Sequence, residues 1–214
     1  MSGRSSLPSV LVAIAACGHG TSAPTADPAQ IAPLASQMAR NVPVPLAVPT
    51  CTAADLTGLP DVTYRTLRQL AGLPLADTPE LADWINPAQL DAPAAHALAD
   101  PSTDDARKRA AAGELLAARA WLVHDVTFVG APLALGVKEL KIGTVNTVIV
   151  RYDRATTKPT CTQLFSFQNN RATSDWAIKV SDQPLVDPRV QKVLRDDLAA
   201  QYLKLVPRGQ PPAG

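Results

Sequence analysis

The chain has 214 residues, and its 20 Lys and Arg against 19 Asp and Glu leave a formal charge of +1. Its one basic cluster, Arg107-Lys108-Arg109, sits beside Asp104 and Asp105, so the electrostatic footprint of a nucleic-acid binder is missing. The 46% apolar fraction leans on alanine and only 4% of residues are aromatic, which asks for a core of Leu, Val and Ala.

Arg4, an apolar run of about ten residues from Leu7 and a small-residue cleavage site are the three parts of a secretory signal. The run is half the ~20 residues that cross a bilayer, so no spanning helix is expected. It closes on Ala15-Ala16-Cys17, which resembles the lipobox of prokaryotic membrane lipoproteins. The resemblance implies removal of residues 1–16 and acylation of Cys17, with the membrane as partner through that lipid. Gly18 stands where an aspartate would mark inner-membrane retention in that class. The expected address is therefore the cell envelope, facing the periplasm, at the outer rather than the inner membrane. A single acyl chain binds a membrane only marginally, and a second signal makes the anchor stable.

Residues 17–50 read as a Pro-rich tether, with prolines at 24, 28, 33, 43, 45 and 49. Such a stretch favours extended polyproline geometry, although a short helix over 30–40 is compatible with it. A single domain is expected over 51–207, followed by a disordered tail over 208–214. Its first half reads as short helices. Asp61 is positioned to cap one that carries Tyr64, Leu67 and Leu70, ended by Gly72 and Pro74. Thr78-Pro79-Glu80 starts another, with Leu81, Trp84 and Ile85. Ser102 or Thr103 opens the longest, which ends near Ala120.

The period then changes to alternation, which argues for strands over 121–129, 134–140, 144–152, 160–168 and 174–180. Short connections make them an antiparallel meander of four or five strands. After Asp187-Pro188, the residues Val190, Leu194, Leu198, Tyr202 and Leu205 recur at helical spacing. The expected class is α+β: a meander preceded by short helices and covered by a C-terminal helix.

With Cys17 assigned to lipid, Cys51 and Cys161 form an even pair that suits a disulfide in an oxidising compartment. The bridge closes a loop of about 110 residues, for which chain entropy favours folding by up to about 4.7 kcal/mol. His19, His96 and His124 show no ligand spacing, so neither a metal nor a cofactor is expected. His124 cannot pair with Asp125, because neighbours on a strand point to opposite faces. No nucleophile motif, phosphate loop or zinc-binding helix signature is present. The candidate binding residues are Arg151, Asp153 and Arg154 on one hairpin, and Trp84 and Trp121 beside a groove between helices and sheet.

These features lead to a non-enzymatic binding or structural module displayed in the envelope, with an envelope protein or cell-wall component as partner. Two other readings are an inhibitor or immunity protein against a cell-wall hydrolase, and a peptidoglycan or glycan hydrolase whose carboxylates leave no local signature.

Overall fold

A computed structural model describes residues 24–42, 48–75, 90–130, 133–136, 139–141, 143–183 and 185–205. Cys17, Trp84 and the helix start at Thr78-Pro79-Glu80 lie outside them.

The architecture is α+β, as the segregation of periods requires. The helices are α1 (Ile31–Arg40), α2 (Ala53–Leu56), α3 (Tyr64–Leu70), α4 (Pro93–Ala99), α5 (Asp105–Ala117), α6 (Arg171–Val180) and α7 (Pro188–Leu205). The strands are β1 (Asp61–Thr63), β2 (Ala120–Gly130), β3 (Leu133–Gly136), β4 (Glu139–Lys141), β5 (Thr144–Asp153) and β6 (Pro159–Gln168). Among the described residues one sheet runs in the order β1-β2-β5-β6, and β3 pairs with β4 in a separate ribbon.

The β2-β5-β6 part is the antiparallel meander that the alternation implies. Three expectations about the strands need correction. The sheet is mixed, because β1 joins its edge parallel to β2, with Thr63 paired to His124. A parallel neighbour needs a long crossover, which here runs through α3, α4 and α5. The expected strand over 134–140 is divided between β3 and β4, which pair Leu133 with Lys141. The expected strand over 174–180 is helical and belongs to α6. Asn170 caps α6, accepting the Ala172 N–H at 2.9 Å, where a hairpin turn was expected.

The extended tether is also interrupted. Asp27 accepts the Ala29 N–H at 3.0 Å and starts a turn that leads into α1. Pro33 falls in the first turn of that helix, where no N–H is needed. Ile31, Ala35, Met38 and Ala39 form a buried stripe that belongs to the main core. Two helix caps shift as well. Thr63, rather than Asp61, caps α3, and Asp104 caps α5 by accepting the Arg107 N–H at 2.8 Å.

Both faces of the sheet pack against other elements, one of them only over β1, β2 and β5. Val62, Trp121, Val123, Val150 and Tyr152 pack against Ile31 and Met38, Leu67, Ala95, and Ala112 and Leu115, contributed by α1, α3, α4 and α5 respectively. Small side chains let α5 approach other backbone closely. A Cβ at Gly113 would lie 1.7 Å from the Pro24 carbonyl oxygen. The crossing segment is tied down by the Ala26 N–H, which donates to the Arg109 carbonyl at 3.0 Å.

On the opposite face Leu122, Ile149, Cys161 and Phe167 pack with Leu56, Leu59 and Leu90, and with Leu198 of α7. The C-terminal helix thus covers part of one sheet face, as its stripe suggests. Cys51 and Cys161 are bonded, with Cα atoms 4.9 Å apart. Beside that bond Pro49–Cys51 lies along β6: the Cys51 N–H donates to Thr162 and the Thr162 N–H to Pro49, at 2.8 and 2.9 Å.

Candidate functional site

The polar centre of the fold is a buried knot between β1, β2 and α3. His124 Nε2 lies 2.7 Å from Asp61 Oδ1, and their side chains are 1% and 11% exposed. Parallel pairing of Thr63 with His124 brings these side chains to one face of the sheet. The segment after Leu90 closes the outer edge, where the Ala92 N–H donates to the Asp61 carbonyl at 2.7 Å.

Asp91 of that segment is buried and heavily engaged. Its Oδ1 accepts the Thr63 N–H at 2.5 Å, and its Oδ2 accepts the hydroxyls of Thr66 and Thr63 at 2.5 and 3.3 Å. Burial raises the Asp91 carboxyl, although these hydrogen bonds pull it back toward the charged form. Asp125 faces the other way, as strand geometry requires, and burial raises its carboxyl too. Tyr152 is shifted upward by burial and then by the Asp125 charge, and its O–H donates to the Asn41 carbonyl at 3.2 Å.

A histidine held by a carboxylate is the base half of an acyl-transfer site, which also needs a nucleophile and an open approach. Here the hydroxyls of Thr63 and Thr66 both serve Asp91, and His124 is enclosed. What the arrangement does is join the edge strand, α3 and the 90–92 segment into one unit. Sequence reasoning missed it because 63 residues separate Asp61 from His124 and no local motif links them.

The expected binding residues divide. Trp121 is fully buried and its Nε1–H donates to the Leu115 carbonyl at 2.9 Å, so it is core rather than the wall of a groove. Arg151, Asp153 and Arg154 do gather at the β5–β6 turn, but each is engaged within the fold. Arg151 donates to Thr160 Oγ1 at 2.8 Å, and Arg154 Nε–H to the Ala118 carbonyl at 3.0 Å. Asp153 accepts from the backbone and hydroxyl of Thr156, both at 2.8 Å, which holds its carboxyl below the usual range. The turn docks on α1 through Thr157, whose hydroxyl donates to Gln37 at 2.8 Å. Thr157 adopts φ 55°, a left-handed conformation that a β-branched residue holds only under such fixing.

The surface that stands out instead is on α6. Ser174 and Ala177 face inward, while Trp176 and Val180, one turn apart, are 41% and 45% exposed. Reading this segment as a strand hid that pairing. Among the described residues no group of three His, Cys, Asp or Glu could hold a metal ion, and no helix is long and apolar enough to cross a membrane. Compared with protein-family models, curated proteins and solved structures, the chain matches none.

Proposed function

We propose that the chain is an exported lipoprotein, anchored through Cys17 and displayed in the periplasm at the outer membrane, whose folded part is a non-enzymatic binding module. The Cys51–Cys161 bond supports export, since such bonds persist in oxidising compartments. It agrees with the address implied by Ala15-Ala16-Cys17.

The observation that carries the binding reading is the exposed Trp176–Val180 pair on α6. Exposed tryptophans with an apolar neighbour are typical anchors of protein interfaces. The side chain best suited to acid–base work, His124, is enclosed and joined to Asp61 inside the fold, which favours recognition over turnover. The partner is an envelope protein with an apolar pocket for the α6 face.

Expression with the native leader tests the address. Mass spectrometry should find an acylated N-terminal Cys17, and Cys17→Ala should leave the protein out of the detergent phase. An unmodified mature N-terminus would contradict the anchor. Hydrolysis of peptidoglycan by the purified chain, abolished by a single carboxylate substitution, would contradict the binding reading.

A further inference from the structure

β6 ends the four-stranded sheet, and among the described residues only Pro49–Cys51 pairs along its outer edge. Pro49–Cys51 pairs with it at Thr162, whose N–H and C=O both point away from β5. Backbone groups alternate in direction along a strand, so those of Leu164, Ser166 and Gln168 point outward as well. Their side chains are exposed, and that of Leu164 is 65% exposed. Phe165 and Phe167 lie on the covered face with Leu198.

Natural sheets blunt such an edge with lysine, proline or a bulge. The stretch Leu164–Gln168 has none of these, and the whole of Pro159–Gln168 carries no charge. We propose that this open stretch pairs antiparallel with β6 of a second copy of the chain, about a two-fold axis at Ser166. Leu164 then meets the partner's Gln168, and Ser166 meets the partner's Ser166.

Three features select a second copy over a foreign peptide. The outward-facing residues 164, 166 and 168 are symmetric about 166, so two identical strands satisfy each other completely. The open length is bounded by Pro49–Cys51 on one side and by α6, which begins at Arg171, on the other, and this register uses all of it without displacing either. An uncharged strand also meets its own copy without like-charge repulsion. This pairing does not depend on the envelope reading.

The test uses the full chain carrying Cys17→Ala, so that lipid does not drive association. Sedimentation should show a concentration-dependent dimer. Leu164→Lys, which places a charge on the open edge, should make it monomeric, with the thermal midpoint that the parent chain shows at concentrations where it is itself a monomer. Ser166→Cys should be joined 166–166 by a short bifunctional thiol reagent, located by peptide mapping, at least about tenfold faster than Lys158→Cys on the exposed turn, because facing Cβ atoms in a hydrogen-bonded antiparallel pair lie about 5.5 Å apart, beyond direct disulfide reach but within that of the reagent. A monomer at every concentration, or equal cross-linking rates at the two positions, would overturn the proposal.

Discussion

Replacing Asp91 by alanine should destabilise the protein more than any surface change. The carboxylate accepts the Thr63 N–H and the Thr66 hydroxyl, each at 2.5 Å, in a buried setting. Each buried donor left without a partner costs about 1–3 kcal/mol, so Asp91→Ala should cost about 3–5 kcal/mol. The pH dependence gives a second, independent reading. Burial raises the folded Asp91 pKa above 3.8, so the folded chain holds this proton more tightly than the unfolded chain does. The stability this group contributes is therefore present below pH 3.8 and is lost as pH rises through the folded pKa. Asp91→Asn should flatten the stability curve above pH 3.8, leaving the same-signed contribution of Asp125. Asp104 and Asp153, whose pKa values are lowered by hydrogen bonds from Arg107 and Thr156, act in the opposite sense. Their contribution is present above pH 3.8 and is lost as pH falls through their folded pKa values. Urea unfolding from pH 3 to 8 measures both effects. A cost below about 1 kcal/mol for Asp91→Ala, or an unchanged slope in Asp91→Asn, would refute the reasoning.

Gly113→Ala should displace residues 24–26 from α5, because the new Cβ would meet the Pro24 carbonyl oxygen at 1.7 Å; faster amide exchange at Ala26, with the rest of the fold retained, would report it. Leu198→Asp should cost several kcal/mol, on the order of 3–5, by placing an unpaired charge between α7 and the sheet; urea unfolding measures it, and a loss under about 1 kcal/mol would show that α7 is not seated there. Cys51→Ser with Cys161→Ser should lower stability by about 2–4 kcal/mol, read as a matching fall in the denaturant midpoint, since the bond closes a loop with a sequence separation of 110.

Strong periodicity made half of the fold legible. In β5 the parity of Thr147 and Ile149 against Val148 and Val150 matches the two faces of the sheet. In α7 the stripe through Val190, Leu194 and Leu198 is buried as its spacing implies. Other elements rest on contacts that local sequence does not encode. Asp61-Val62-Thr63 is too short to show alternation and becomes a strand only by pairing with Leu122–His124. In α6, Trp176 and Val180 satisfy both a period of two and a period of four, and the small Ser174 and Ala177 that settle the inward face carry little hydrophobic signal. The short helix compatible with 30–40 is present as α1, with Pro33 at a position where a helix tolerates it, but the surrounding prolines gave no sign that α1 belongs to the core. At the candidate sites, the exclusion of a His124–Asp125 pair followed from strand geometry, whereas its replacement by Asp61 did not. The charged turn at Arg151, Asp153 and Arg154 looked available because its acceptors, among them the Ala118 carbonyl, lie on distant segments.

The most direct test of the binding account is a photo-reactive residue placed at Trp176 in the full chain, expressed with its own leader and activated in living cells, with the same residue at the exposed Lys158 as control. The account predicts one discrete adduct with an envelope protein from position 176, lost on adding Val180→Ala and absent from position 158. No adduct at 176, or the same adducts from both positions, would contradict it.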